Sequence, residues 1–169
     1  MIYLYTGNGE GKTTAALGHA LRALGYGKKI AMVCFMKGRE TGELNFSKKY
    51  KKNFELFQFG AGNFTNLKKP SKADKLLARD ALRFSKKLIQ SKKYDLVILD
   101  EINVAVGFGL VSKQTVLKVL GKAPKDRVIF LTGRKAPPEF IKIADLVTEM
   151  KEIKHPFKKG IQAKKGLDY

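Results

Sequence analysis

Short apolar runs alternate with stretches whose apolar residues return every three or four positions. The run Ile2-Tyr3-Leu4-Tyr5 predicts a first strand over about residues 2–6. After a glycine-rich loop, Ala16, Leu17, Ala20, Leu21 and Leu24 fall at helical spacing, and Gly25 suits the helix's C-terminal cap. A second strand is predicted at about 29–36, then a loop containing Gly38 and Gly42, then a third strand near 54–59. Residues 60–70 carry no period. Ser71 with Asp74 three residues later reads as a capping pair opening a long helix to about Ser91, with Leu77, Ala81, Phe84 and Leu88 as its buried stripe. Leu96-Val97-Ile98-Leu99 is a fourth strand ending in Asp100-Glu101, and Val128-Ile129-Phe130-Leu131 a fifth. A short helix begins near Pro138, a sixth strand spans about 145–150, and the tail from Lys154 is basic and partly irregular. This alternation predicts one α/β domain over residues 1–169, a mostly parallel sheet with helices on both faces. Ligands on such sheets sit at the carboxyl ends of the strands, a rim predicted to hold Thr6, Lys37, Asp100 and Thr132.

The loop on that rim has its own chemistry. Residues 6–14 read Thr6-Gly7-Asn8-Gly9-Glu10-Gly11-Lys12-Thr13-Thr14, between a strand and a helix. Glycines let such a loop curl so that several backbone N–H groups face one anion. Lys12 adds a mobile positive charge for the outer phosphates, and the Thr13 hydroxyl is placed for a magnesium ion. The helix that follows directs its positive end at the same spot. The usual phosphate-loop pattern opens with glycine where this chain has Thr6, and the glycines fall instead at 7, 9 and 11. The paired carboxylates after the fourth strand complete the picture. Asp100 is placed to orient water or Thr13, and Glu101 to contact the metal. In an ATP hydrolase Glu101 would be the base for water. Pattern and spacing therefore reach a P-loop, RecA-like fold that uses ATP and Mg2+, and no further.

Composition narrows the partners. Hydrophobic residues make up 44% and aromatics 10% of the chain, enough for a folded core rather than a disordered segment. No apolar run is long enough to cross a bilayer, and no basic-then-apolar signal segment opens the chain. Cys34 is the single cysteine, which excludes an internal disulfide, and it lies in an apolar run that reads as buried. A cytoplasmic protein without a membrane partner is the expectation. The net charge of +19 favours anionic ligands. The excess is mostly scattered Lys, which reads as a solvated surface, and neither zinc-finger spacing nor an aromatic RNA-binding motif supports a nucleic-acid partner.

The chain resembles the ATP:corrinoid adenosyltransferases that attach the upper ligand in vitamin B12 coenzyme synthesis. The resemblance begins with Thr6 to Thr14 and Arg22-Ala23-Leu24-Gly25-Tyr26-Gly27-Lys28. It continues through Phe35-Met36-Lys37-Gly38, Asp100-Glu101-Ile102-Asn103 and Thr132-Gly133-Arg134. Thr148-Glu149-Met150 and His155-Pro156-Phe157 extend it almost to the end. It implies attack of a Co(I) corrinoid, as cob(I)alamin or cob(I)yrinic acid a,c-diamide, on the 5′ carbon of ATP, with triphosphate expelled whole. ATP lies in reversed orientation in that family, its gamma phosphate in the loop. By the same resemblance Gly7, Asn8, Gly9, Gly11, Lys12, Thr13, Thr14 and Arg22 hold the nucleotide, and Lys12 with Glu101 serves the chemistry. A homodimer and an electron-donor protein are the implied partners. Arg134 is either a phosphate or corrinoid contact or a cap on its strand. His155 is expected to be structural or to line the substrate.

Three departures accompany the resemblance. Glu10 stands where relatives commonly carry Lys, and is expected to face solvent. Longer relatives have an N-terminal extension over the active site, whereas here the first strand starts at Ile2. Well-studied members use a Phe-x-Trp pair to displace the corrinoid's lower ligand. This chain has no Trp, and Phe64-Thr65-Asn66 is the nearest match, so Phe64 either keeps that role or anchors an irregular loop.

Overall fold

The computed structural model describes residues 1–61 and 69–167. Six strands form one parallel sheet: β1 (Ile2–Thr6), β2 (Ile30–Cys34), β3 (Phe54–Gln58), β4 (Leu96–Asp100), β5 (Val128–Thr132) and β6 (Leu146–Glu149). Their spatial order is β3-β2-β4-β5-β1-β6. Every residue of β2 and β4 is buried, as the unbroken apolar runs of a sheet covered on both sides require.

Alternation along these strands builds two cores. Met32, Ile98 and Phe130 face α1 (Lys12–Gly25) and α2 (Gly42–Lys49). Val33, Leu99 and Leu131 face α3 (Lys72–Gln90), α4 (Ile102–Gly107), α5 (Lys113–Leu120) and α6 (Pro138–Ile143). The strands fall where expected. So does α3, with its reciprocal Ser71–Asp74 capping box. Its buried stripe is rotated from the expected one. Ala81 and Leu88 are fully buried together with Ala78, Leu82, Ser85 and Ile89, while Leu77 and Phe84 are only partly covered. Phe84 lies at the border of that face because its ring packs edge-on against Phe57 of β3, centroids 4.7 Å apart.

Residues 42–49, expected as loop, form α2. The Thr41 hydroxyl accepts a hydrogen bond from Leu44 N–H at its start, and Glu43 favours the first turn. The helices α4 and α5 were also not anticipated. Both α4, at six residues, and α5, at eight, are too short to establish a helical period against a mainly apolar background.

The strand order positions the site. β5 lies between β1, which leads into the glycine loop, and β4, which carries Asp100. Thr132 at the carboxyl end of β5 pairs in register with Tyr5, so its side chain stands between loop and carboxylate. Among the described residues no helix is long and apolar enough to cross a membrane.

Candidate functional site

The loop after β1 is held from the outside by the segment leaving β6. Met150 N–H donates to the Thr6 carbonyl at 2.8 Å, and Gly9 N–H donates to the Met150 carbonyl at 2.7 Å. A side chain on Gly9 would bring its Cβ within 2.7 Å of that carbonyl, and one on Gly7 would run into it. Gly7 and Gly11 also have φ of 96° and 99°, a backbone region that costs most L-residues strain. Three glycines are thus explained by close approach, by handedness or by both.

Behind this loop, Lys12 is buried at the start of α1 and its ammonium donates to the Gly9 carbonyl. Burial lowers its pKa, against the opposing pull of Glu101. The Thr13 hydroxyl donates to Asp100 Oδ1 at 2.7 Å, and the Thr132 hydroxyl donates to the same oxygen at 2.8 Å. The Thr132 oxygen in turn accepts from Glu101 N–H at 3.0 Å. Asp100 is fully buried, and its second oxygen lies 2.9 Å from Lys37 Nζ. One strand-end carboxylate therefore organises the first turn of α1, the end of β5 and the loop after β2.

Glu101 follows with φ 62° and ψ 20°, one of two non-glycine residues with positive φ among those described. Its left-handed conformation is sustained by the Thr132 hydrogen bond and by α4, which it opens. Burial, and then the Asp100 charge, push its carboxyl pKa up; Lys37, Lys12 and Arg134 oppose the shift. Asn103 of α4 donates to the Gly133 carbonyl at 2.9 Å and so ties α4 to the turn that presents Arg134.

Part of this set, Lys12, Thr13, Lys37 and Glu101, lines a cavity of about 450 Å3 together with Thr14 and Arg134. A second cavity of about 760 Å3 adjoins it under the tail, sharing Glu10, Arg134, His155 and Leu167. Gly9 and Gly11 belong to the first cavity, whereas Gly7 is buried beneath the loop and Asn8 is exposed on its outside. Arg22 sits exposed in the last turn of α1, roughly 15 Å along the helix from Lys12, and is not brought to the cavity. Glu10 is exposed as expected, 3.9 Å from His155 Nε2. His155 caps the 3-10 turn Pro156–Lys159, its Nδ1 accepting from Phe157 N–H. Phe64 lies outside the described residues.

Sequence reasoning placed Lys37 on the rim without giving it a role, and gave none to Glu43 or Met150. Their contacts join segments far apart in the chain, which local patterns do not encode. The donor set suits a magnesium ion that keeps its nucleotide. One hydroxyl whose proton is committed to Asp100 and one cavity carboxylate leave room for phosphate oxygens and water. No group of three or more His, Cys, Asp or Glu side chains that could hold a metal alone occurs among the described residues.

Comparisons with known proteins identify the family and the fold. A family model described as ATP:corrinoid adenosyltransferase BtuR/CobO/CobP matches residues 1–169. The corrinoid adenosyltransferase of Escherichia coli (strain K12) is 34% identical over 170 residues, covering 100% of this chain and 85% of its own length. That of Pseudomonas aeruginosa is 36% identical, covering 100% and 83%. Corrinoid adenosyltransferase CobA of Salmonella typhimurium is 33% identical, covering 100% and 85%. Among solved structures, the KaiC-like protein PH0186 of Pyrococcus horikoshii matches with a TM-score of 0.56 at 17% identity, over 90% of this chain and 73% of that one. That likeness concerns the fold alone.

Proposed function

Because the chain belongs to the ATP:corrinoid adenosyltransferase family, whose members adenosylate corrinoids in cobalamin synthesis or salvage, we propose how its own residues divide that work. The triphosphate of ATP enters the glycine loop, with Lys12 and the N–H groups at the start of α1 facing its terminal phosphate. The 5′ carbon is then presented toward the neighbouring cavity, where the corrinoid approaches. The Co(I) electron pair forms a bond to that carbon as the C5′–O5′ bond breaks, and the electrons of the broken bond leave with triphosphate. Cobalt becomes formally Co(III). No proton has to be moved at the reacting carbon.

What the protein must supply is position, and stabilisation of charge gathering on the leaving oxygens. Lys12 answers the second need. Thr13 and Glu101 are the residues that would hold Mg2+, with Asp100 behind Thr13 fixing its hydroxyl. When bound, the ion adds positive charge at the leaving phosphates. Arg134 belongs at the junction of the two cavities, reaching either triphosphate or the corrinoid's acidic or amide side chains. Phe64 is assigned to displacing the lower ligand of a Co(II) corrinoid. Reduction of cobalt needs an electron-donor protein, and we take the enzyme to act as a homodimer in the cytoplasm.

The observation that carries this reading is the unbroken family match over residues 1–169, in a chain whose cavity joins a phosphate loop to a second, larger space. The test is anaerobic incubation with ATP, Mg2+ and chemically reduced cob(I)alamin. A light-sensitive cobalt–carbon product together with intact triphosphate is the expected result. Release of single phosphates without corrinoid would instead identify a hydrolase that uses Glu101 as base for water.

A further inference from the structure

Lys37 lies three residues beyond the end of β2, and its ammonium stands between two carboxylates: Asp100 Oδ2 at 2.9 Å and Glu43 Oε1 at 3.5 Å. Asp100 is fully shielded from solvent, and the Glu43 side chain is 13% exposed. The other Asp100 oxygen already accepts two hydroxyl hydrogen bonds. Lys37 also lines the cavity with Thr13 and Glu101. Its backbone is held in place, because Gly38 packs against the Gly60 and Ala61 carbonyls so closely that no side chain fits between them. Removing the ammonium would leave the Asp100 and Glu43 carboxylates without their shared cation, beside the cavity that Thr13 and Glu101 line, and so make that region more attractive to a divalent ion.

We propose that Lys37 is a resident stand-in for the divalent cation: its ammonium neutralises the carboxylates while the site is empty, so that the metal binds only together with the triphosphate. This rests on the reading of Thr13 and Glu101 as the metal-holding residues. Two ion pairs keep the stand-in in its charged form, with Asp100 at 2.9 Å and Glu43 at 3.5 Å flanking the ammonium. Burial draws the Lys37 pKa down, but the Asp100 charge and hydrogen bond outweigh it and leave it raised. A fixed positive charge a few ångströms from the metal position repels a free divalent ion and attracts the anionic metal–nucleotide complex. Lys37 is thus a positioning and selectivity residue, acting through the carboxylates.

The test uses Mn2+ as probe, with free Mn2+ read by electron paramagnetic resonance during titration of the full-length protein with and without ATP. Lys37→Gln keeps a donor for Asp100 but removes the charge, and Lys37→Met provides a second neutral variant; circular dichroism checks that each is folded. Lys86→Gln, at an exposed position of α3, controls for overall charge. The expected result is that the neutral variants bind Mn2+ at least about tenfold tighter than the parent without nucleotide, and that the gain on adding ATP shrinks correspondingly. If the folded Lys37 variants bind Mn2+ no tighter than the parent or Lys86→Gln, the stand-in role is overturned. Thr13→Ala and Glu101→Gln separate the two readings. If they abolish ATP-dependent Mn2+ binding while Lys37 variants match the parent, only the stand-in fails. If they leave that binding unchanged, the metal assignment itself is wrong and the proposal falls with it.

Discussion

The loop end and the tail end of the joined cavity are built on opposite principles. Around the loop, polar groups are buried and tied to partners from distant strands: Thr13, Asp100, Thr132 and Lys37 form one connected set. Under the tail, the lining comes mostly from the single segment 152–167, joined by Glu10 and Arg134, and that segment has little cover. Phe157 is 71% and Leu167 77% exposed. On the function proposed above, the two ends have different tasks. Triphosphate is small, invariant and highly charged, so a rigid cradle suits it. A corrinoid is large and must enter and leave, and a wall made mostly of one lightly packed segment can yield. Low local packing of this kind goes with easy local opening.

Lys12→Ala breaks the rigid end most severely. If the lysine stabilises the leaving phosphates, turnover should fall by about 2–4 kcal/mol in apparent activation free energy, measured as kcat/KM for ATP with prereduced corrinoid. Unchanged turnover would remove Lys12 from the chemistry.

Glu101→Gln should separate function from stability within the same cradle. The raised carboxyl pKa means that the folded, empty site disfavours the ionised form. The sign follows from linkage: stability from this group is fully present below the ordinary glutamate range and is lost as pH rises through the raised value. At neutral pH the charge therefore costs stability, and the neutral amide should raise the Tm of the nucleotide-free protein. Binding of the magnesium–ATP complex should meanwhile weaken by about 1.5–3 kcal/mol, read by calorimetry. A lowered Tm at neutral pH would show that the ionised carboxylate is already well partnered.

Gly7 and Gly160 sharpen the contrast, since both have positive φ, 96° and 73°. Alanine at either position meets the backbone strain of about 1–3 kcal/mol. At Gly160 the new Cβ has nothing within 4 Å, whereas at Gly7 it collides with the Met150 carbonyl and must push β6's continuation off the loop. Gly7→Ala should therefore lower Tm more than Gly160→Ala and also cost ATP affinity, which the tail variant should leave near the parent value. Equal effects would mean that the Met150 contact is not a clamp.

The same contrast explains what the sequence disclosed. The strands and α3 were legible because unbroken apolar runs and a capping pair are local signals. So were the glycine loop, Lys12, Thr13 and the Asp100–Glu101 pair at the end of β4, whose spacing is that of a phosphate-loop pattern. The helices α4 and α5 were hidden by shortness, and α2 by a glycine at its first position that reads as loop. The Lys37–Asp100 pair and the Met150 clamp arise only from strand order, which brings β2 beside β4 and β6 beside β1. No pattern within a dozen residues records such neighbours. For Arg22 the resemblance implied a nucleotide contact, but helical geometry places it far along α1.

The smallest expected effect concerns the place where the two ends meet. Glu10, on the loop, and His155, on the tail, approach to 3.9 Å. His155 Nδ1 accepts from Phe157 N–H, so in the neutral ring the proton sits on Nε2, facing the Glu10 carboxylate. The Glu10 side chain is 57% exposed, so water and salt weaken this contact. Glu10→Lys, the residue type that the family resemblance leads one to expect there, should reverse the attraction when His155 is protonated and bring a cation to the mouth of the loop-side cavity. ATP affinity should improve by only about 0.2–1 kcal/mol, and the gain should shrink in high salt. Amide exchange in residues 155–160 should quicken in the same variant if the contact helps seat the tail. Faster exchange without any change in ATP affinity would make the contact a latch on the corrinoid side alone. A large, salt-independent gain in affinity would place residue 10 inside the cradle, and the division between a rigid phosphate end and a yielding tail would have to move past it.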